Sequence, residues 1–134
     1  MPDLIARFLI EKHFSIEKNL VKPRALLPAL DHGVWATSIF DVDGLSDIET
    51  WNLGEAYVAV PRGKPLYGHA ELAAVAVAET GLALRSSEPP PGHGDIVGWS
   101  TDKEKRILAA QELAACARLK LKTSISQGFG TVAG

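Results

Sequence analysis

The stretch Val34-Trp35-Ala36-Thr37-Ser38-Ile39-Phe40-Asp41-Val42-Asp43-Gly44, followed by Ser46-Asp47-Ile48-Glu49, decides the fold class. Its first part is rich in β-branched and aromatic residues, so it reads as a strand from Val34 to Val42. Asp43-Gly44 is a turn signal. Ser46 and Glu49 have the spacing of a capping box, with acids in the first turn, so a helix is predicted to start there. That helix is expected to reach about Leu53 and to stop at Gly54.

Working outward, Ile5 to Ile10 reads as a strand. Asn19 to Leu27 reads as a second extended piece, broken by Pro23 and Pro28. Ala56 to Val60 reads as either a strand or a helical continuation ending at Pro61. Ala70 to Thr80 is alanine-rich with no breaker before Gly81, which predicts a helix with a glycine stop. Leu82 to Arg85 and Asp95 to Trp99 read as short strands around the connector Pro89-Pro90-Pro91. Thr101-Asp102-Lys103-Glu104 is a second capping box, predicting a helix from Asp102 to about Leu119. Ile107, Ala110, Ala114 and Ala117 share one face of that helix. Cys116 is expected to be a small buried hydrophobe, and Trp35, Trp51 and Trp99 to anchor the core. The fold class is therefore α+β, a small and mostly antiparallel sheet packed by a C-terminal helix. Residues 1–122 are expected to form a single domain. Residues 123–134, rich in small and turn-forming types, are expected to form a flexible tail.

The chain has 134 residues, 46% of them apolar and 22% charged, enough for one core. A net charge of −2 argues against nucleic acid as a partner. No apolar run reaches the roughly 20 residues that cross a bilayer, so no membrane partner is expected. The start Met1-Pro2-Asp3 lacks the basic opening of a signal peptide. The single cysteine forbids an internal disulfide and a multi-cysteine zinc site. These features predict a cytoplasmic location.

Charge is uneven. Between Ala25 and Pro61 stand Asp31, Asp41, Asp43, Asp47, Glu49 and Glu55 with no lysine or arginine, while the flanking segments are net basic. Either those flanks fold across the acidic stretch, or it attracts a cation or a basic partner. The helix start absorbs Asp47 and Glu49. Asp41 and Asp43 remain, and are expected to form a contact surface for another protein with a basic surface.

Three patterns bear on chemistry. Ser38-Ile39-Phe40-Asp41-Val42-Asp43-Gly44-Leu45 resembles the first motif of the haloacid-dehalogenase phosphatases, which implies a nucleophilic and an acidic aspartate at a strand end. Gly94-Asp95 and Asp102 faintly resemble their magnesium-binding motif. The threonine of that family is replaced by Leu45, however, and about fifty residues between the half-motifs are too few for a doubly wound sheet. His69-Ala70-Glu71 resembles the zinc motif of the cytidine deaminases, but no cysteines follow it, and a tetrahedral zinc site would lack ligands. No metal and no cofactor are therefore expected. The third pattern is His32, His69 and His93, each beside a glycine. With Arg62 and Lys64 as an anion site, they are the catalytic candidates of a small enzyme acting on a phosphate-bearing substrate, such as a nucleotide or an RNA end.

Residues from about Val34 to Ala117 are similar to a set of small uncharacterised bacterial proteins. The resemblance rests on Ser38-Ile39-Phe40, Gly44-Leu45, Glu49-Thr50-Trp51 and Ile96-Val97-Gly98-Trp99 before an alanine-rich helix. It implies a bacterial origin and brings no activity. The leading expectation is a small binding or accessory module acting through protein–protein contact. The alternative is the phosphate-directed enzyme.

Overall fold

The computed structural model describes residues 2–122, and the expected tail at 123–134 lies outside the described residues. Its strands are β1 (Leu4–Leu9), β2 (Phe14–Ser15), β3 (Leu20–Val21), β4 (Ala29–Asp31), β5 (Val34–Asp41), β6 (Gly68–Ala73), β7 (Ala83–Ser86), β8 (His93–Val97) and β9 (Arg118–Leu121). Its helices are α1 (Asp47–Gly54), α2 (Val60–Arg62), α3 (Ala74–Glu79) and α4 (Lys103–Cys116), with a 3-10 turn at Pro23–Leu26. Seven strands form one sheet in the order β7-β8-β5-β1-β6-β9, with β4 beside the start of β5. Every ladder in it is antiparallel. β2 and β3 form a separate hairpin. The class is α+β, with the C-terminal helix α4 packed on the sheet.

The alternation of β1 assigns the two faces. Ile5 and Leu9 point to a back face, where Ile39, Leu72, Val77, Ile96, Trp99, Ala110, Leu113 and Ala114 bury one core with the 3-10 turn. Ala6, Phe8 and Ile10 point to the front, where Phe40, Val42, Trp51, Ala59 and Leu66 bury a second. Helix α1 crosses β1 closely at Gly54, where an added Cβ would stand 2.6 Å from the Phe8 ring.

Four expectations need correction. The first concerns α1, which does not stop at Gly54 but widens into a π-helical turn, Glu55–Ala59, and runs on as α2 to Arg62. Pro61 has no N–H to return to the preceding turn, and a wider turn just before it accommodates the missing bond. Gly63, at φ 62°, then supplies the left-handed stop. The predicted helix from Ala70 is a strand as far as Ala73, because six register pairs with β1 outweigh alanine's helix preference. The final helix ends at Cys116, and Arg118–Leu121 pairs with β6 instead. Cys116 is exposed rather than buried. The expected helix face holds at Ala110 and Ala114, joined by Leu113, with Ile107 only half-buried. Trp51 and Trp99 are buried; Trp35 is half-buried and stacks beneath Arg106, 3.8 Å from its ring centre.

The basic flank does reach the acidic stretch at two points. Lys120 bonds Asp47 at 3.1 Å, and Lys122 pairs with Glu55. The Ser46–Glu49 capping box forms in full, and its hydrogen bonds hold the Glu49 carboxyl below the usual range.

Candidate functional site

The β1–β5 ladder pairs only Ile5 with Asp41 and Ala6 with Phe40. Beyond Ala6 the two strands part, and the Arg7 side chain fills the opening. Its Nε donates to the Ala25 carbonyl and its Nη1 to the Ser38 carbonyl, each at 3.0 Å. Arg7 thereby borders a cleft on the front of the sheet, although it alternates with front-facing Ala6 and Phe8. Burial first, and the charge of Arg62 second, lower its pKa to about 10, so it stays charged at neutral pH.

Arg62 reaches the same place from the other side. The π-turn and the extra helical turn carry it past the expected stop and set it beside Tyr57 and Val58 as a wall. Arg7, Arg62, Ser38, Phe40, Tyr57 and His93 surround a cleft of about 130 Å³. A second hollow of about 170 Å³ shares Arg7, Phe8, Ile10 and Arg62 with it and adds Glu11, His13, Arg24 and Lys64. Lys64 is paired with Glu11, whose carboxyl that bond holds below its ordinary range. Burial, then the neighbouring Arg24, lowers the pKa of His13. Among the described residues, Arg7, Arg24 and Arg62 form no ion pair, while six other cationic or imidazole side chains do. Residues 123–134 contain no aspartate or glutamate. Two guanidiniums facing one cleft without a carboxylate repel each other, and an anion between them relieves that repulsion.

His93 is the one catalytic candidate in this cleft. Its ring lies edge-on to Phe40, at 5.1 Å between centres. Its Nδ1 is 2.6 Å from Ser87 Oγ and 3.2 Å from the Ser87 carbonyl, and its Nε2 is 3.3 Å from Ser38 Oγ. His93 also borders a larger hollow of about 300 Å³, but Asp41 and Glu88 line that one and its arginine, Arg85, is already paired with Asp95, which makes it a poor home for an anion.

The other candidates lie elsewhere. His32 is an exposed residue of the β4–β5 turn and pairs with Asp31 at 2.9 Å. His69 is buried on the front face under α1, with Trp51 and Phe8 rings 5.1 and 5.9 Å away, and neither of its ring nitrogens has a hydrogen-bond partner. Burial, then Lys120, lowers its pKa to about 4. The three histidines do not converge. Lys64 flanks Arg62 in the second hollow only. Asp41 and Asp43 are exposed, and each carboxylate has a backbone partner: Asp41 Oδ1 accepts from the Asp43 N–H at 2.9 Å, and Asp43 Oδ2 from the Asp3 N–H at 2.6 Å.

Arg7, Ser38, Tyr57 and Arg24 escaped the sequence reading. An arginine in the middle of the apolar run Ile5 to Ile10 was the available signal, since a buried charge needs a reason. Asp95 and Asp102 do not join Asp41 and Asp43: Asp95 pairs with Arg85 at 3.1 Å, and Asp102 caps α4. Among the described residues, no three His, Cys, Asp or Glu side chains are grouped to hold a metal ion. No helix among them is long and apolar enough to cross a membrane. Compared with protein families, curated proteins and solved structures, the chain matches none.

Proposed function

We propose that the protein binds a phosphate-bearing ligand in the cleft between Arg7 and Arg62. The supporting observation is that pair of arginines, one fixed by two carbonyls and neither ion-paired, facing one small polar hollow. Phosphate oxygens accept the forked hydrogen bonds that guanidinium groups offer. Because the second hollow shares both arginines and adds Arg24, and its one carboxylate, Glu11, is paired with Lys64, a ligand with two adjacent phosphoryl groups gains contacts that a single phosphate does not. Calorimetric titration with inorganic phosphate and with pyrophosphate tests this reading. Saturable binding, tighter for pyrophosphate and weakened by Arg62→Ala, is the expected result; heat of dilution alone for both ions refutes it.

A second reading has its own support. Leu45 and Ile48 are exposed beside Asp41 and Asp43, Ile48 at 71% of its full area. An apolar pair rimmed by carboxylates suits contact with a basic protein surface. Action as a bacterial, cytoplasmic accessory protein belongs to that reading.

A further inference from the structure

We propose that Ser38 and His93 are a nucleophile and its base, so that the cleft hydrolyses a phosphomonoester rather than merely holding it. The inference rests on the phosphate-binding reading and adds chemistry to it. The register of β5 and β8 pairs Phe40 with His93 and Ser38 with Asp95, so Ser38 and His93 are diagonal neighbours on the front face. Both stand on paired strands, which fixes their separation better than loops do.

The surroundings of His93 accommodate the useful tautomer. Two oxygens of Ser87 face Nδ1, the hydroxyl at 2.6 Å and the carbonyl at 3.2 Å, and both can accept the hydrogen of the Nδ1–H tautomer. In that tautomer Nε2 is a bare lone pair, 3.3 Å from the Ser38 hydroxyl. A hydroxyl beside an imidazole whose far nitrogen is held by a third group is the arrangement that activates a serine. The Phe40 ring edge keeps the imidazole from turning away. Arg7 already holds the Ser38 carbonyl, which places its charge next to the nucleophile.

In the first step Ser38 Oγ attacks phosphorus and its proton passes to His93 Nε2. The Oγ–P bond forms, the ester P–O bond breaks, and the alcohol leaves with the proton from His93. Arg7 and Arg62 balance the charge on the non-bridging oxygens. In the second step water gives a proton to His93 and attacks phosphorus. The Oγ–P bond breaks, Ser38 recovers the proton, and inorganic phosphate departs. The sum is ester plus water giving alcohol plus phosphate.

The probes are p-nitrophenyl phosphate for turnover and inorganic phosphate for binding. Wild type should release p-nitrophenolate. Ser38→Ala and His93→Gln should each lose about a hundredfold or more of that rate, the usual worth of a positioned base. Both should bind inorganic phosphate within about threefold of wild type, since the arginine clamp is intact. Mass analysis of acid-quenched wild type should find one phosphoryl group on Ser38. Wild type that binds phosphate but does not turn over the ester overturns the inference and leaves the binding reading standing. A phosphoryl group on His93, or full activity in Ser38→Ala, overturns the assigned roles. Wild type that binds no phosphate overturns both readings together.

Discussion

His69 and His93 stand on the same face of one sheet and have opposite surroundings. His69, on β6, lies beneath α1, which also spans β1 and ties itself to β9 through the bond from Lys120 to Asp47. There the front face is closed and aromatic, and the imidazole has no hydrogen-bond partner, the Glu71 carboxylate standing 3.8 Å from its Nε2. His93, on β8, lies beyond the edge of α1. There Ser38, Asp95, Arg85 and Ser87 replace the apolar set, and each nitrogen of His93 meets an oxygen. One helix is too narrow to cover six adjacent strands, so the uncovered half is free to carry polar groups and the covered half is not. Chemistry then follows coverage rather than residue type. A histidine in the closed half loses its charge, while one in the open half gains hydrogen bonds.

The largest effect should come from the back face, which supports both halves. Ala114 is 7% exposed where α4 meets the sheet. Replacing it with Lys overfills that contact and buries a charge, a loss of about 4 kcal/mol or more in urea unfolding. Lys at Tyr57, which is exposed on the wall of the cleft, should cost under about 1 kcal/mol. Equal losses at the two positions would mean that the front half is as tightly packed as the back, and the contrast would fail.

The closed half should also betray itself by pH. His69 binds a proton with a pKa of about 4 when folded and near 6.5 when unfolded. Between those values the unfolded chain holds more protons, so stability falls as pH falls. This contribution is fully present above pH 6.5 and gone below pH 4, on the order of 3 kcal/mol in all. A His69→Phe variant, which keeps the aromatic packing with Trp51 and Phe8, should lose much less stability than wild type between pH 7 and pH 4.5. Parallel curves for the two proteins would show that His69 is hydrated or paired in solution, which contradicts a closed half.

The sequence showed the strand from Val34, its turn and the capping box, because each is a local signal. The antiparallel α+β class and the final helix packing through Ala110 and Ala114 were legible in the same way. Coverage was not. Alanine between Ala70 and Ala73 has no local preference strong enough to resist β1, and β9 follows α4 without a glycine or proline to mark it. The cleft was half-legible: Arg62 and His93 were candidates, but Arg7 is brought to them by a gap in a ladder, and no pattern within one strand reveals a gap between two. The extension of α1 that delivers Arg62 depends on a π-turn before Pro61, where local rules place a stop.

A third test sharpens the electrostatic side of the contrast. Arg62 has no ion pair among the described residues and stands at the edge of the open half. Arg62→Ala should leave the unfolding midpoint within experimental scatter, or raise it slightly by removing repulsion from Arg7. It should weaken inorganic phosphate binding about tenfold, the equivalent of 1.4 kcal/mol, and pyrophosphate binding at least as much. A clear stability loss with unchanged phosphate affinity would make Arg62 a structural residue and remove the clamp.

The smallest effect belongs to Asp41 and Asp43, at the turn where β5 leaves the sheet for α1. Each carboxylate accepts a backbone N–H, from Asp43 and from Asp3. An asparagine side chain offers a carbonyl oxygen for the same bond, so the double change to Asn keeps the turn and alters only charge. Stability should move by less than about 1 kcal/mol. What should change is capture of a basic surface, because exposed charges act chiefly on association rate and its salt dependence. With polylysine as the probe, wild type should associate faster than the double variant at low salt, and the two should converge near physiological ionic strength, where screening acts within about 8 Å. If the rates already agree at low salt, Asp41 and Asp43 serve only the turn, and the exposed pair Leu45 and Ile48 loses the acidic rim that makes it a plausible contact for a basic protein.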